Sequence, residues 1–357
     1  VNRALGLTLL LLAAALVALA ASASAQTDPP ASGDWVVTDS TYWNHDLVLT
    51  GNLTVNGSGT LQLDGMTLTM SGPFDGALRI LVEAGSTLNL TDVNVRSSNS
   101  DVHYWFECRG PVSLDGCDVR DVAANTSRYD DWDSIGGGVQ IYDGASVLRD
   151  SDFHNNQRIN VYVGGCDPLI VNCDFYDTEY VSTYQRYVYN YNYGGYIYGW
   201  YADATGLYLY MSDANITLCT FRNNGLRGSA QPFYTTSYPV NVVATLGRGI
   251  LAVDSSPNIT QCEFTQNGDQ PNDRNVGGVQ QLFFEDIYYE ATVPEGGLVC
   301  IGTSHPIVVR SDFLTNDLFG IYCSEGGLPD LVESCRIEGN RYIRGSSVYS
   351  PSGGIYA

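Results

Sequence analysis

Along most of the chain, apolar and polar residues alternate in short runs that Gly, Asn, Asp and Pro interrupt. The arrangement is clearest in RGILAVDSSPNITQCEFTQN, residues 248–267. A period of two argues for half-buried strands, and the runs are too short and too often broken for the 3.6-residue spacing of a helix. The arrangement returns at 136–156, 158–178, 205–224, 296–316 and 319–340, with a degenerate copy at 109–125. Each copy reads as a Gly-led strand, a small polar turn, a second strand, a Cys/Ser-x-Phe step and an Asn.

Aligned on the aromatic step, the copies agree position by position. The landmark is Val119, Phe153, Phe175, Phe221, Phe264, Phe313 and Ile337. Five residues earlier stand Leu114, Leu148, Ile170, Ile216, Ile259, Val308 and Val332; two residues earlier stand Cys117, Ser151, Cys173, Cys219, Cys262, Ser311 and Cys335. Three residues later come Asn156, Asn224, Asn267, Asn316 and Asn340, an amide column suited to satisfying turn backbone. A strand repeat this short cannot bury its apolar face alone, so the copies are expected to stack. The tightest spacing, 22 residues from Phe153 to Phe175, suits three short strands and three turns. The predicted fold class is all-β, a β-solenoid with long loops on one flank.

These rungs resemble the parallel β-helix repeat of the pectate-lyase-like superfamily, and the resemblance implies a right-handed coil. It covers residues 47 to the end, with the specific rungs from 109 onward. That fold hosts lyases, hydrolases, epimerases, adhesins and non-catalytic surface proteins, so function has to be read from the site.

Residues 35–108 alternate Leu, Val and Thr between Asn-Gly and Ala-Gly turns, and are expected to form an N-terminal cap and irregular first coils; Trp35, Tyr42 and Trp43 suit the cap. Residues 26–34 are expected to be a linker. Before them, Arg3 precedes an apolar run from Ala4 to Ala21 and then Ala23, Ser24 and Ala25, the form of a signal peptide over 1–25 with the mature chain starting at Gln26. The chain is therefore expected at the cell surface or secreted, with no membrane span in its mature part. The final GGIYA, 353–357, reads as the first strand of a further rung, so the repeat is expected to continue past residue 357.

A formal charge of −22 arises from 39 acidic residues against 17 basic ones, every one of the latter an Arg. Such a surface repels nucleic acid and anionic lipid, and polyuronates unless a divalent cation bridges them. Six Asn-x-Ser/Thr sequons, beginning at Asn52, Asn56, Asn89, Asn125, Asn215 and Asn258, are open to glycosylation, although Asn215 and Asn258 also hold equivalent repeat positions. Nine cysteines in an exported chain would ordinarily suggest disulfides. Five of them share one phase with Ser151 and Ser311, which instead suggests a buried ladder of small residues. Cys300 and Cys323 are the pair placed to bridge neighbouring coils.

Five insertions, at 126–135, 179–204, 225–247, 268–295 and 341–352, all follow the Asn step and precede the next lead Gly. Stacked in phase, they must emerge on one flank, where a solenoid carries its binding surface. In pectinase-like relatives this corner borders the active cleft. The polygalacturonase motifs Asn-Thr-Asp, Asp-Asp, Gly-His-Gly and Arg-Ile-Lys have no counterparts here; the equivalent stretches begin at Asp133, Asp203, Gly247, Glu295 and Asp317. If a hydrolase is present, Asp131, Asp133, Asp203 and Glu295 are its candidate carboxylates. A Ca²⁺-assisted lyase would use Asp130, Asp131 and Asp133 as ligands with Arg248 assisting. No other cofactor is implied. His45, His103, His154 and His305 show no ligand spacing.

In YVSTYQRYVYNYNYGGYIYGWYADA, residues 180–204, Tyr187, Tyr189, Tyr191 and Tyr193 alternate, as do Tyr196, Tyr198 and Trp200 after Gly194 and Gly195. A two-residue glycine turn would set Tyr193 opposite Tyr196, Tyr191 opposite Tyr198 and Tyr189 opposite Trp200, a seven-ring plate on one face. The plate either clamps onto the coil beneath or is a platform for sugars or a protein partner. The expected role is a non-catalytic surface protein that binds polysaccharide or a surface protein through the long-loop flank. A polysaccharide lyase or glycoside hydrolase, and a purely structural rod, are the alternatives.

Overall fold

Three short strands and three turns make each coil. In the computed structural model the first coil comprises Trp35–Val37, Ser40–Trp43 and Leu47–Leu49, and the tenth Phe319–Cys323, Leu331–Glu333 and Arg336–Glu338. The structure describes residues 27–124, 137–179, 181–190, 195–225, 242–268, 296–316, 319–324, 326–340 and 353–356, excluding the side chains of 181–190, 195–203 and 242–246. Among these residues there is no helix. First, second and third strands of successive coils build three sheets, and every pairing between coils is parallel. The result is a parallel β-helix. The segment 1–25, with its expected signal, lies outside the described residues.

The columns form as the repeat requires. Phe153, Phe175, Phe221, Phe264 and Phe313 are register partners in the third sheet. Their rings stack at 5.2, 4.9, 4.8 and 4.4 Å between centroids, within 10° of parallel. Leu114, Leu148, Ile170, Ile216, Ile259 and Val308 form the matching column of the second sheet and are fully buried. One continuous core runs from Trp35 to Cys323.

The polar columns are buried too, so each must satisfy itself. Nδ2 of Asn267 donates to the Phe221 carbonyl at 2.8 Å and to Asn316 Oδ1 at 2.9 Å. Asn316 makes the equivalent pair of bonds to Phe264 and Asn340. Where the phase offers Thr178, the hydroxyl donates to Asn224 Oδ1 at 2.6 Å, and Asn160 fills the missing amide by donating to Thr178 Oγ1 at 2.9 Å. Just before this column the backbone must turn through the left-handed region, at Asn155, Asp177, Asn223, Gln266 and Thr315, with φ between 47° and 56°. Asn and Asp suit that conformation; Gln266 and Thr315 are held there by the ladder.

The Cys/Ser column explains itself in the same way. Ser151 Oγ accepts the Cys117 N–H at 3.0 Å, Ser311 Oγ accepts that of Cys262 at 3.1 Å, and each hydroxyl or thiol donates to the carbonyl two residues behind it. A small donor–acceptor is therefore required at the turn, and Cys meets the need while packing as a hydrophobe. All nine cysteines are free. Cys300 and Cys323, register partners in the first sheet, are unbonded and buried. Burial pushes the Cys117 thiol up to about 11 and that of Cys166 to about 12.

The rod begins earlier and more regularly than its sequence suggests. Trp35, expected in a cap, opens the first strand of the first sheet and is buried there, whereas Tyr42 is exposed. Residues 27–34 do not behave as a free linker. Thr27 accepts from Trp35 Nε1 through its carbonyl, its hydroxyl donates to Asp39, and Asp34 accepts from the Asn52 N–H. The chain at Gly33 crosses so close to Gly51 that a Cβ there would meet backbone carbon at 2.1 Å, so Gly51 has no room for a side chain.

Two outcomes test this packing. Asn267→Ala is expected to cost about 3 kcal/mol in denaturant unfolding, because it strands buried partners on both sides. In the native protein a thiol reagent is expected to label at most Cys166 and Cys335, the two half-buried cysteines, and all nine after denaturation.

Candidate functional site

The topology gives the insertions one address. Each falls between a third-sheet strand and the next first-sheet strand, after Asp118–Arg120, Asp174–Tyr176, Thr220–Arg222, Glu263–Thr265 and Arg336–Glu338. Within the second insertion, Val181–Asn190 pairs antiparallel with the leading part of Gly195–Tyr210, which then runs on into the first sheet beside Val242–Val253. The hairpin is thus an outgrowth of the first sheet.

Its register corrects the sequence expectation. Tyr189 is opposite Tyr196, Tyr187 opposite Tyr198, and Gln185 opposite Trp200. The glycine pair is not a two-residue turn, because Gly195 already pairs with Asn190 and the connection spans 191–194. An irregularity between Ser182 and Tyr184 marks where the hairpin leaves the coil. Tyr191 and Tyr193 lie outside the described residues, as do Asp130, Asp131, Asp133 and Glu295. Asp203 is placed only by its backbone, in register between Val181 and Leu246. Arg248 lies within the first-sheet strand Val242–Val253, level with Thr205 and Gly296, and is 1% exposed.

The described residues of the same corner hold a polar cluster that sequence reading passed over. Asp75, His103, Gln157 and Glu179 come from four different third-to-first connections. His103 is 5% exposed. Its Nδ1 lies 3.0 Å from Asp75 Oδ1, and its Nε2 lies 3.2 Å from Glu179 Oε2. Burial opposes the charge on the ring, but the Glu179 and Asp75 contacts outweigh it and push its pKa up. Burial also works against ionisation of Asp75, yet the bonds from His103 and Gln157 hold its carboxyl below the ordinary range. Beside them Asp121 is buried, and burial raises its carboxyl despite a hydrogen bond from the Ser97 N–H. The signal was present: all four sit in the phase of the insertions, although their distant spacings hide them from any motif search.

A second polar array occupies the outer face of the third sheet. His154 and Tyr176 stack at 4.7 Å, and the Arg222 guanidinium lies 3.9 Å from the Tyr176 ring centre on the neighbouring coil. Asp118, Asp152 and Asp174 are register neighbours alongside. With His154 and Arg222 as its neighbours in the column, Tyr176 is built into a structural stack rather than left open as a sugar platform. His154 Nε2 lies 2.9 Å from Asp118 Oδ1. Burial disfavours the Asp118 anion, but His154 outweighs it and lowers the pKa. Burial, Asp174 and Asp118 together raise that of Asp152. Among the described residues no group of three or more His, Cys, Asp or Glu is arranged to hold a metal ion.

The family model for the right-handed β-helix region matches residues 79–281, more than half of the chain. This chain belongs to the right-handed β-helix family. Among solved structures, this β-helix is similar to the Dettilon tailspike protein, at 11% identity and a TM-score of 0.27, covering 87% of this chain and 62% of that one. It is also similar to a PL6 alginate lyase complexed with a trisaccharide, at 10% identity and a TM-score of 0.24, covering 78% and 54%. A third is the A-module of the mannuronan C-5 epimerase AlgE4 of Azotobacter vinelandii, at 13% identity and a TM-score of 0.25, covering 86% and 91%. The chain thus spans about three fifths of the tailspike chain and about half of the lyase chain. No curated protein matches it. Among the described residues of this β-helix, no helix is long and apolar enough to cross a membrane, which leaves strand-built membrane proteins unaddressed.

The depressed Asp118 carboxyl favours the fold above the ordinary carboxylate pKa, and that contribution is lost as pH falls through its folded value. Asp118→Asn is therefore expected to destabilise modestly, by less than about 1 kcal/mol at this part-exposed site, at pH 6. The difference from wild type should vanish towards pH 2 in parallel denaturant titrations.

Proposed function

We propose that the protein is exported and binds a glycan lengthwise along the corner between the third and first sheets, holding it without cutting it. One observation carries the reading: all five insertions share that corner. Coils rise by about 4.8 Å, so successive loops leave the rod as a row, and a row suits an extended polymer engaged at several points. Weak contacts made in series along one chain add up through effective concentration.

Two features support a sugar ligand. The hairpin brings tyrosines into opposed register, Tyr187 with Tyr198 and Tyr189 with Tyr196, and rings of this type stack on sugar faces. The charge of −22 disfavours polyanions and so favours a neutral glycan. Holding rather than cutting is supported by the described corner carboxylates, since Asp75 and Glu179 grip His103 and Asp121 is buried. Export is supported by the apolar run from Ala4 to Ala21 and the small residues before Gln26.

Binding to an array of neutral polysaccharides tests the reading. Tyr198→Ala combined with Trp200→Ala is expected to weaken the retained ligand at least about tenfold, a loss of about 1.4 kcal/mol. Unchanged binding contradicts it. New reducing ends from these glycans, or unsaturated uronides from a uronate-containing polysaccharide supplied alongside, abolished by Asp133→Asn or Asp203→Asn, would replace it with the catalytic alternative; a protein captured in place of any glycan would replace the ligand class.

A further inference from the structure

At the root of the hairpin the His103 network contains an internal conflict. Nδ1 of His103 lies 3.0 Å from Asp75 Oδ1 and 2.9 Å from Gln157 Nε2. The first atom is an acceptor when ionised; the second is a donor. Turning the Gln157 amide over only moves the conflict, setting oxygen against Asp75 Oδ2 and an N–H against the Ala124 N–H. Its Oε1 accepts the Ala124 N–H at 3.1 Å, and its Nε2 donates to Asp75 Oδ2 at 3.1 Å. One ring nitrogen cannot carry a proton for Asp75 and offer a lone pair to Gln157 at once.

Two arrangements are each self-consistent. The charged ring donates from Nδ1 to Asp75 and from Nε2 towards Glu179. The neutral ring keeps its proton on Nε2, towards Glu179, and accepts at Nδ1 from Gln157. The proton therefore decides which of two neighbours His103 holds, and with 5% exposure water offers the ring little substitute for either.

We propose that His103 is a proton-operated brace: charged, it clasps Asp75 and Glu179 together and fixes the root of the 181–210 hairpin to the third and fourth coils; neutral, it releases Asp75. The backbone makes the clasp consequential. The His103 N–H also donates to Asp75 Oδ1 at 2.8 Å, the Gly76 N–H donates to the His103 carbonyl at 2.8 Å, and Glu179 is bonded through its carbonyl to the Arg158 N–H at 2.8 Å. Glu179 stands two residues before the first hairpin strand, Val181–Asn190.

The charged groups facing the ring are Asp75 from the connection before the third coil, Glu179 from that after the sixth, and Asp121 at the end of the fourth coil, itself beside Arg120. Glu179 and Asp75 favour the charged ring against the effect of burial, and the ring titrates above its ordinary value. A group so raised stabilises the fold fully at low pH and ceases to do so as pH rises through its folded pKa. Asp75, shifted down, sets the opposite limit in acid. The brace is intact between those two limits and opens on the alkaline side.

The test is a ring titration by NMR on the full chain, with hydrogen exchange at the amides of His103, Tyr104 and Glu179. The expected His103 midpoint lies above about 6.5. Protection at the three amides, corrected for intrinsic rates, is expected to fall about tenfold between pH 6 and 9, a change equivalent to about 1.4 kcal/mol, while that of Ile259 and Thr260 stays level. His103→Gln should flatten the pH profile. Should that variant not fold, Glu179→Gln is expected to lower the wild-type ring midpoint. A midpoint at or below about 6.5, or a His103→Gln profile identical to wild type, overturns the proposal. Neither measurement needs a bound glycan, so its failure is separate from failure of the binding function.

Discussion

In a parallel β-helix the strand N–H and C=O groups of one coil bond to strands of the coils above and below, which sets equivalent residues level with one another, and this constraint governs the whole molecule. A side chain at a given phase must accept its own counterpart as neighbour above and below. Aliphatic residues and phenylalanine meet the demand by stacking. Polar residues meet it only if each is donor and acceptor together. An amide can chain indefinitely in this way, as Asn224, Asn267, Asn316 and Asn340 do. A hydroxyl cannot replace it alone, and at Thr178 the neighbouring Asn160 has to complete the chain.

The same constraint decides where chemistry can accumulate. Turns that carry a stacked ladder cannot lengthen without breaking it, whereas the stretch after the Asn step can, and there the five insertions lie. Short connections of that phase bring Asp75, His103, Gln157 and Glu179 together although 104 positions separate the first from the last. The acidic excess settles outside the core, where the third sheet arranges Asp118, Asp152 and Asp174 beside His154 and Arg222.

Much of this was legible in the sequence because burial is periodic. The columns at Phe264, Ile259, Cys262 and Asn267 could be read by aligning copies, and so could the single corner of the insertions. Three features could not. The hairpin register depended on a turn whose length the Gly194-Gly195 pair does not fix, and the chain chose a longer connection that leaves Gly195 in the strand. Residues 27–34, expected as a linker, are held by isolated hydrogen bonds, from Thr27 to Asp39 and from Asn52 to Asp34, which leave no pattern. The His103 cluster joins coils whose spacings differ, so no local motif announces it. Those three belong to single contacts rather than to the repeat.

Stacking in columns is tested most directly by a double-mutant cycle. Phe264→Leu and Phe313→Leu, whose rings are 4.4 Å apart, are expected to couple by about 1 kcal/mol in unfolding free energy. Phe264→Leu and Phe153→Leu, separated by the rings of Phe175 and Phe221, should be additive within about 0.3 kcal/mol. Equal coupling in the two cycles, or none in the first, would contradict the account.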